Sequence, residues 1–226
     1  MFDAMKPISE VYNMDCLEYM KTIPDKFFDL CIADPPYGIN INESIGRRKN
    51  DKHSGRKKAV WDNESPCKEV FDEIFRVSKK IIIWGANHFI SKLKEQDASC
   101  WILWDKKFSD KVSFSQFEMA YTNLDGMTKK FDLSPTCKEY KFHPTQKPVK
   151  LYSWILDNYG EKGDKIFDPF LGSGSSRIAA FKKEFDFYAC ELDQEYFKAS
   201  VERFQKECFG VQKLPNGKMI TQGSLF

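Results

Sequence analysis

The sequence is short of most features that mark secreted, membrane or metal-dependent proteins. Its seven cysteines (16, 31, 67, 100, 137, 190 and 208) include no CxxC, and several stand inside apolar runs such as DLCIA, SCWILW and FYACEL. They read as free, buried thiols of a reducing compartment, not as a disulfide framework. The three histidines, His53, His88 and His143, lack the spacings of metal ligands, so no metal site is expected. The start, MFDAMKPISE, carries an acid and has no apolar core, which argues against a secretory signal. No apolar run approaches the roughly 20 residues of a membrane span. Net charge is also low: a formal +2 says little by itself, because a local cluster can outweigh the sum. The expectation is a soluble, cytoplasmic protein.

What is present is a globular profile. In 226 residues, 42% are hydrophobic and 30% charged, enough for one well-buried domain over 1–226 and too little for two. Short apolar runs fall at 8–12, 29–33, 80–84, 100–104, 117–122, 165–168 and 185–190. Between them, Val70, Phe71, Ile74 and Phe75 recur at helical spacing, as do Leu151, Trp154 and Ile155, then Phe197, Val201 and Phe204. Strands alternating with helices predict an α/β fold. The expected form is a Rossmann-like, doubly wound, mostly parallel sheet of seven strands, with helices on both faces and one antiparallel strand.

Two stretches carry chemistry. CIADPPYGIN (31–40) ends an apolar run on Asp34, then stiffens the backbone with Pro35 and Pro36 before Tyr37. Proline fixes its own φ and restricts its predecessor, so a carboxylate and an aromatic ring are held in place. KIFDPFLGSGSSRIAAF (165–181) is a strand ending on Asp168, a Gly-rich loop and a helix. Gly172 and Gly174 permit close approach of a ligand to the backbone. Position 177 holds arginine where a dinucleotide fingerprint needs its third glycine. Asp168 repels a pyrophosphate but suits a cationic ligand without phosphates, such as S-adenosylmethionine. Glu191 ends the next strand at the place of a ribose-binding carboxylate. Between these stretches, residues 42–66 crowd Arg47, Arg48, Lys49, Lys52, Arg56, Lys57 and Lys58 into a basic loop.

DPPY (34–37) followed by DPFLGSG (168–174) resembles the amino-group DNA methyltransferases that use S-adenosylmethionine. The order, catalytic motif first and cofactor loop last, looks like their β-type arrangement. NMDCLEYM (13–20) is similar to the segment that touches the cofactor's adenine, and FHPTQKPVKLYSWIL (142–156) to the family's HPTQKP segment. Departures are small: Asn13-Met14 replaces a frequent glycine, Ser175-Ser176 a frequent threonine pair, and Ala189 a glycine.

The resemblance implies methylation of the exocyclic N6 of an adenine flipped out of double-stranded DNA, in a bacterial or phage-encoded restriction-modification setting. Asp34 and the Pro35 carbonyl then accept the amine hydrogens, and Tyr37 stacks on the base. Asp15 and Cys16 meet the cofactor's adenine and Glu191 its ribose. Asp168, Phe170, Gly172, Ser173, Gly174 and Ser175 lie under the methionine, with His143, Thr145 and Lys147 at its carboxylate. The basic loop would neutralise phosphates, and 124–141 is the candidate recognition segment. In the flexible tail, 210–226, Gln222, Leu225 and Phe226 resemble a peptide that docks on a replication sliding clamp; a homodimer is a further candidate assembly. N4-cytosine methylation is the nearest rival, and a nucleotide-dependent oxidoreductase on a similar sheet a more distant one.

Overall fold

The computed structural model describes residues 6–39, 62–95, 97–108, 115–134, 142–213 and 219–221. All seven expected strands form: β1 (Ser9–Tyr12), β2 (Phe28–Ala33), β3 (Ser78–Trp84), β4 (Trp101–Asp105), β5 (Phe117–Thr122), β7 (Lys165–Asp168) and β8 (Asp186–Cys190). They join an eighth, β6 (Lys129–Asp132), in the order β1-β8-β7-β2-β3-β5-β4-β6. The sheet therefore has eight strands where the apolar runs gave seven. β6 lies within the candidate recognition segment and has one apolar residue, Phe131. It forms by parallel pairing with β4, Ile102 opposite Lys129. β5 alone in this sheet is antiparallel, to β3 and to β4. A small antiparallel pair, β9 (Val211–Lys213) and β10 (Met219–Thr221), stands apart.

The apolar spacing sets which face each helix buries. α1 (Cys16–Lys21) and α2 (Lys68–Val77) cover one face, where Val70, Phe71, Ile74 and Phe75 pack with Phe28, Ile81, Ile83 and Phe167. α3 (Val149–Tyr159) and α4 (Ser175–Lys182) cover the other, where Leu151 and Ile155 meet Leu30, Ile32, Ile82 and Trp84. Each fully buried side chain of this size contributes about 1.5–3 kcal/mol. Phe28 and Phe167 stack across β2 and β7 with centroids 4.4 Å apart. Cys31, Cys100 and Cys190, the thiols in apolar runs, are buried. α5 (Gln194–Phe209) starts at Asp193, whose side chain accepts from the Glu195 and Tyr196 amides, and stops at Gly210 with φ +66°.

The topology then fixes where a ligand belongs. From β2 the chain crosses through α2 to β3 on one side; from β7 it crosses through α4 to β8 on the other. The winding reverses between β2 and β7, and the crevice at their carboxyl ends is the switch point of an open α/β sheet. Asp34 directly follows β2 and Asp168 ends β7. The basic residues Arg47, Arg48, Lys49, Lys52, Arg56, Lys57 and Lys58, and the tail residues Gln222, Leu225 and Phe226, lie outside the described residues. No helix among the described residues is long and apolar enough to cross a membrane.

Candidate active site

The turn after β2 is held from below by an aspartate. Asp62, fully buried, accepts from the Tyr37 amide at 2.8 Å and from the Gly38 amide at 3.1 Å through the same Oδ1. Two prolines restrict the entry to the turn and Asp62 fixes its exit. Tyr37 lies against Gly85, at the end of β3, where a Cβ would come within 2.1 Å of the ring. Gly85 also has φ +68°, so this position requires glycine twice over. The Tyr37 ring also stacks with His88, centroids 5.3 Å apart.

Around Asp34 the structure assembles a charge cluster. Lys147 Nζ lies 2.5 Å from Asp34 Oδ1 and 2.5 Å from Glu118 Oε1. The Tyr37 hydroxyl reaches the same two oxygens, at 3.0 and 2.7 Å. Lys106 Nζ completes the group, 2.7 Å from Glu118 Oε2. Because β5 runs antiparallel, its first residues, not its last, stand at the carboxyl edge of the sheet, which brings Glu118 here. The four charges are unequal in support. Burial works to raise the Glu118 carboxyl, but Lys147 and Lys106 outweigh it and bring it to about 2. Burial also raises Asp34, and there Lys147 only partly compensates, with Glu118 adding to the rise. Burial opposes the Lys147 ammonium, yet Asp34 and Glu118 together lift it above the usual lysine range. Asp34 is thus the weaker acid of the pair, since Glu118 has a second lysine.

The loop after β7 is built differently. Asp168 is buried; its Oδ1 accepts from the Phe170 amide at 2.9 Å and its Oδ2 from Ser176 Oγ at 2.5 Å. Burial, against those two bonds, pushes its carboxyl up to about 7. Glu191 accepts from the Gly172 amide at 2.7 Å and the Asp193 amide at 2.9 Å, and burial raises it. Gly172 and Gly174 have φ of +50° and +73°. A Cβ on Gly172 would lie 3.6 Å from His143 Nε2, so the histidine stands over the loop. His143 packs edge-on to Tyr196 at 4.4 Å, and its Nδ1 is 3.2 Å from Thr145 Oγ1. Burial, then Lys147, lowers it to about 4, so it is neutral near pH 7. Asp15 caps α1, accepting from the Leu17 amide at 2.7 Å. Nearby, Asn13 donates to the Glu191 carbonyl at 2.7 Å, and burial raises the Cys16 thiol to about 12.

The sequence-derived residues therefore converge on one edge in two groups: Asp34 with Tyr37, and Asp168, Phe170, Gly172, Ser173, Gly174, Ser175 and Glu191 with His143 and Thr145. Lys147, expected beside the second group, is bonded to the first. Four contributors escaped the sequence reading. Asp62 stood in the basic stretch, Glu118 inside a strand pattern, and Lys106 just past a strand. The fourth is Arg203 on α5, which donates to the Ser173 carbonyl at 3.1 Å and to Ser175 Oγ at 2.8 Å. Only Asp62 left a signal, as an acid directly after Trp61 at the end of the basic stretch and before a helix.

A fold with its switch point between two acid-ended strands, one leading into DPPY and the other into a Gly-rich loop, has counterparts. The family model for DNA methylases of the N6/N4 type matches residues 81–202, from within β3 into α5, and the chain belongs to this family. It is 26% identical to the type II methyltransferase M2.MboI of Moraxella bovis, over 87% of each chain. Among solved structures, the M1.HpyAVI–SAM complex shares the fold with a TM-score of 0.59 at 21% identity, covering 86% of this chain and 98% of that one. The cytosine-N4-specific PvuII DNA methyltransferase does so at 0.57 and 14% identity, covering 88% of each chain.

Proposed function

We propose that the protein transfers a methyl group from S-adenosylmethionine to the exocyclic N6 of an adenine rotated out of duplex DNA. The observation that carries this reading is a carboxylate, Asp34, fixed in a doubly pinned turn beside a glycine loop at the switch point. The loop suits the cofactor. Its glycines leave the backbone bare, the two acids behind it favour a cation, and no described lysine or arginine side chain bonds Asp168 or Glu191. The match to the DNA-methylase family model supports DNA as the substrate.

When bound, the cofactor supplies a methyl group on a sulfonium, which leaves as a neutral thioether and needs no metal. The protein's task is the amine, whose lone pair is delocalised into the ring. Asp34 Oδ and the Pro35 carbonyl accept its two hydrogens and so favour the tetrahedral nitrogen whose lone pair can take the methyl. Having taken the methyl, the nitrogen would be cationic and would shed one proton past Asp34 to solvent. Because Asp62 already fixes the turn, little reorganisation is required at that moment. Tyr37 offers its ring to the extruded base at the face where His88 now stacks. Arg47, Arg48, Lys49, Lys52, Arg56, Lys57 and Lys58 are assigned to DNA phosphates.

The test is chemical. Unmodified duplex DNA incubated with protein and S-adenosylmethionine, then digested to nucleosides and weighed, is expected to yield N6-methyldeoxyadenosine. N4-methyldeoxycytidine in its place moves the substrate to cytosine; no methylated base overturns the reading. Asp34→Ala should retain cofactor binding by calorimetry and lose about 100- to 1,000-fold in kcat. Neutral substitutions across Arg47–Lys58 should flatten a log–log salt slope that about six phosphate contacts set near −5.

A further inference from the structure

We propose that Glu118 is a positioning residue for methyl transfer: it shares Lys147 and Tyr37 with Asp34 and so keeps the Asp34 carboxylate open to the substrate amine. The proposal rests on the assignment of Asp34 as hydrogen acceptor. Its basis is the convergence of two donors on two carboxylates. Lys147 Nζ and the Tyr37 hydroxyl each bridge Asp34 Oδ1 and Glu118 Oε1, at 2.5 and 2.5 Å and at 3.0 and 2.7 Å. Asp34 Oδ2 takes no bond from the described residues, which leaves one oxygen available to accept.

Each alternative arrangement fails physically. A buried Asp34 without a cation takes up a proton and stops accepting. A lone lysine beside it forms a closed ion pair and competes with the amine for the same oxygens. A second carboxylate divides the ammonium's attraction, and Lys106, 2.7 Å from Glu118 Oε2, keeps that second carboxylate ionised. A carboxylate buried in a strand is costly unless it is paired, so Glu118 is an expensive residue for a merely structural position. The other titratable groups facing the cluster are His88 stacked on Tyr37, His143 ahead of α3, Tyr152 on α3 and Asp168 at the end of β7.

Glu118→Gln, Glu118→Asp, Lys147→Met and the Glu118→Gln/Lys147→Met double variant should be assayed as full chains. The readouts are methyl transfer to DNA from pH 5 to 9 and cofactor affinity by calorimetry. Glu118→Gln is expected to lower kcat about 10- to 100-fold with the cofactor KM within about twofold of wild type. Its acid limb should move to lower pH, because a like charge beside Asp34 is gone and Lys147 turns wholly to it. In the Lys147→Met background the same change should cost little more. An unmoved acid limb, or an equal cost in both backgrounds, overturns the proposal. If Glu118→Gln fails to bind cofactor, Glu118→Asp decides. It keeps the charge but cannot reach both donors, so kcat should fall with binding intact, and a wild-type kcat overturns the proposal. Failure of the underlying assignment looks different: Asp34→Ala then equals wild type, and both fall together.

Discussion

The turn after β2 and the loop after β7 fix carboxylates at the same edge of the sheet by opposite means. Asp34 is bonded to Lys147, 113 positions away, and shares it with Glu118 from a third strand. Asp168 and Glu191 are held by uncharged donors: amides 2 and 19 positions off and a hydroxyl 8 positions off. The ionic site is assembled from the whole fold, the neutral one mostly from its own loop. Ionic assembly couples protonation states, so that loss of one partner strands the others. With neutral donors, burial is the largest influence on each acid.

Lys147→Met is the sharpest probe of that difference and should have the largest effect. It leaves Asp34 and Glu118 facing each other, with only Lys106 on Glu118. Breaking a buried pair from one side costs about 3–5 kcal/mol. The sign with pH follows from linkage. Without the ammonium, both folded carboxyls titrate higher, so the native state holds protons that the unfolded chain has released. The deficit against wild type should be small near pH 4 and full by pH 8, as read from urea melts. A deficit independent of pH would mean that packing, not charge, holds the turn.

The same contrast governs what could be read from the sequence. Seven strands were visible because each is an apolar run fixed by local burial; β6, KKFD, was invisible because its register comes from β4 alone. Asp34, Tyr37 and Asp168 stood out because stiff or glycine-rich turns sit beside them in the chain, and Glu191 because it ends an apolar run. Glu118, Lys106 and Arg203 did not, because their roles depend on which strands and helices meet at the crevice. Lys147 was legible as a site residue, but its bonds to Asp34 and Glu118 were not.

Asp168→Asn should have the next largest effect, and of opposite sign. Burial lifts the Asp168 carboxyl from 3.8 to about 7 in the folded chain. A group raised in this way contributes stability that is present below the unfolded value and lost as pH rises through the folded one. Wild-type stability should therefore decline between about pH 4 and 7 on this account, and the asparagine variant should lack that part of the decline. Parallel stability curves for the two proteins would place the titration elsewhere. The cationic cofactor should bind wild type more tightly at pH 8 than at pH 6, a gain that Asp168→Asn removes.

Ser176→Ala is the mildest break. The hydroxyl donates to Asp168 Oδ2 from the first turn of α4, while the Phe170 amide remains on Oδ1. No cation is involved and no distant acid loses a partner, so the cost should be that of one hydrogen bond to a carboxylate, about 1.5–3 kcal/mol at pH 8. Because that bond favours the ionised form, its loss should raise the carboxyl further above about 7 and shrink the deficit at pH 5. The Asp34 cluster should not respond: at saturating cofactor, the acid limb of kcat should stay where wild type has it. A deficit as large as that of Lys147→Met, or a moved acid limb, would mean that the two carboxylate sites titrate as one and that the line between an ionic turn and a neutral loop does not exist.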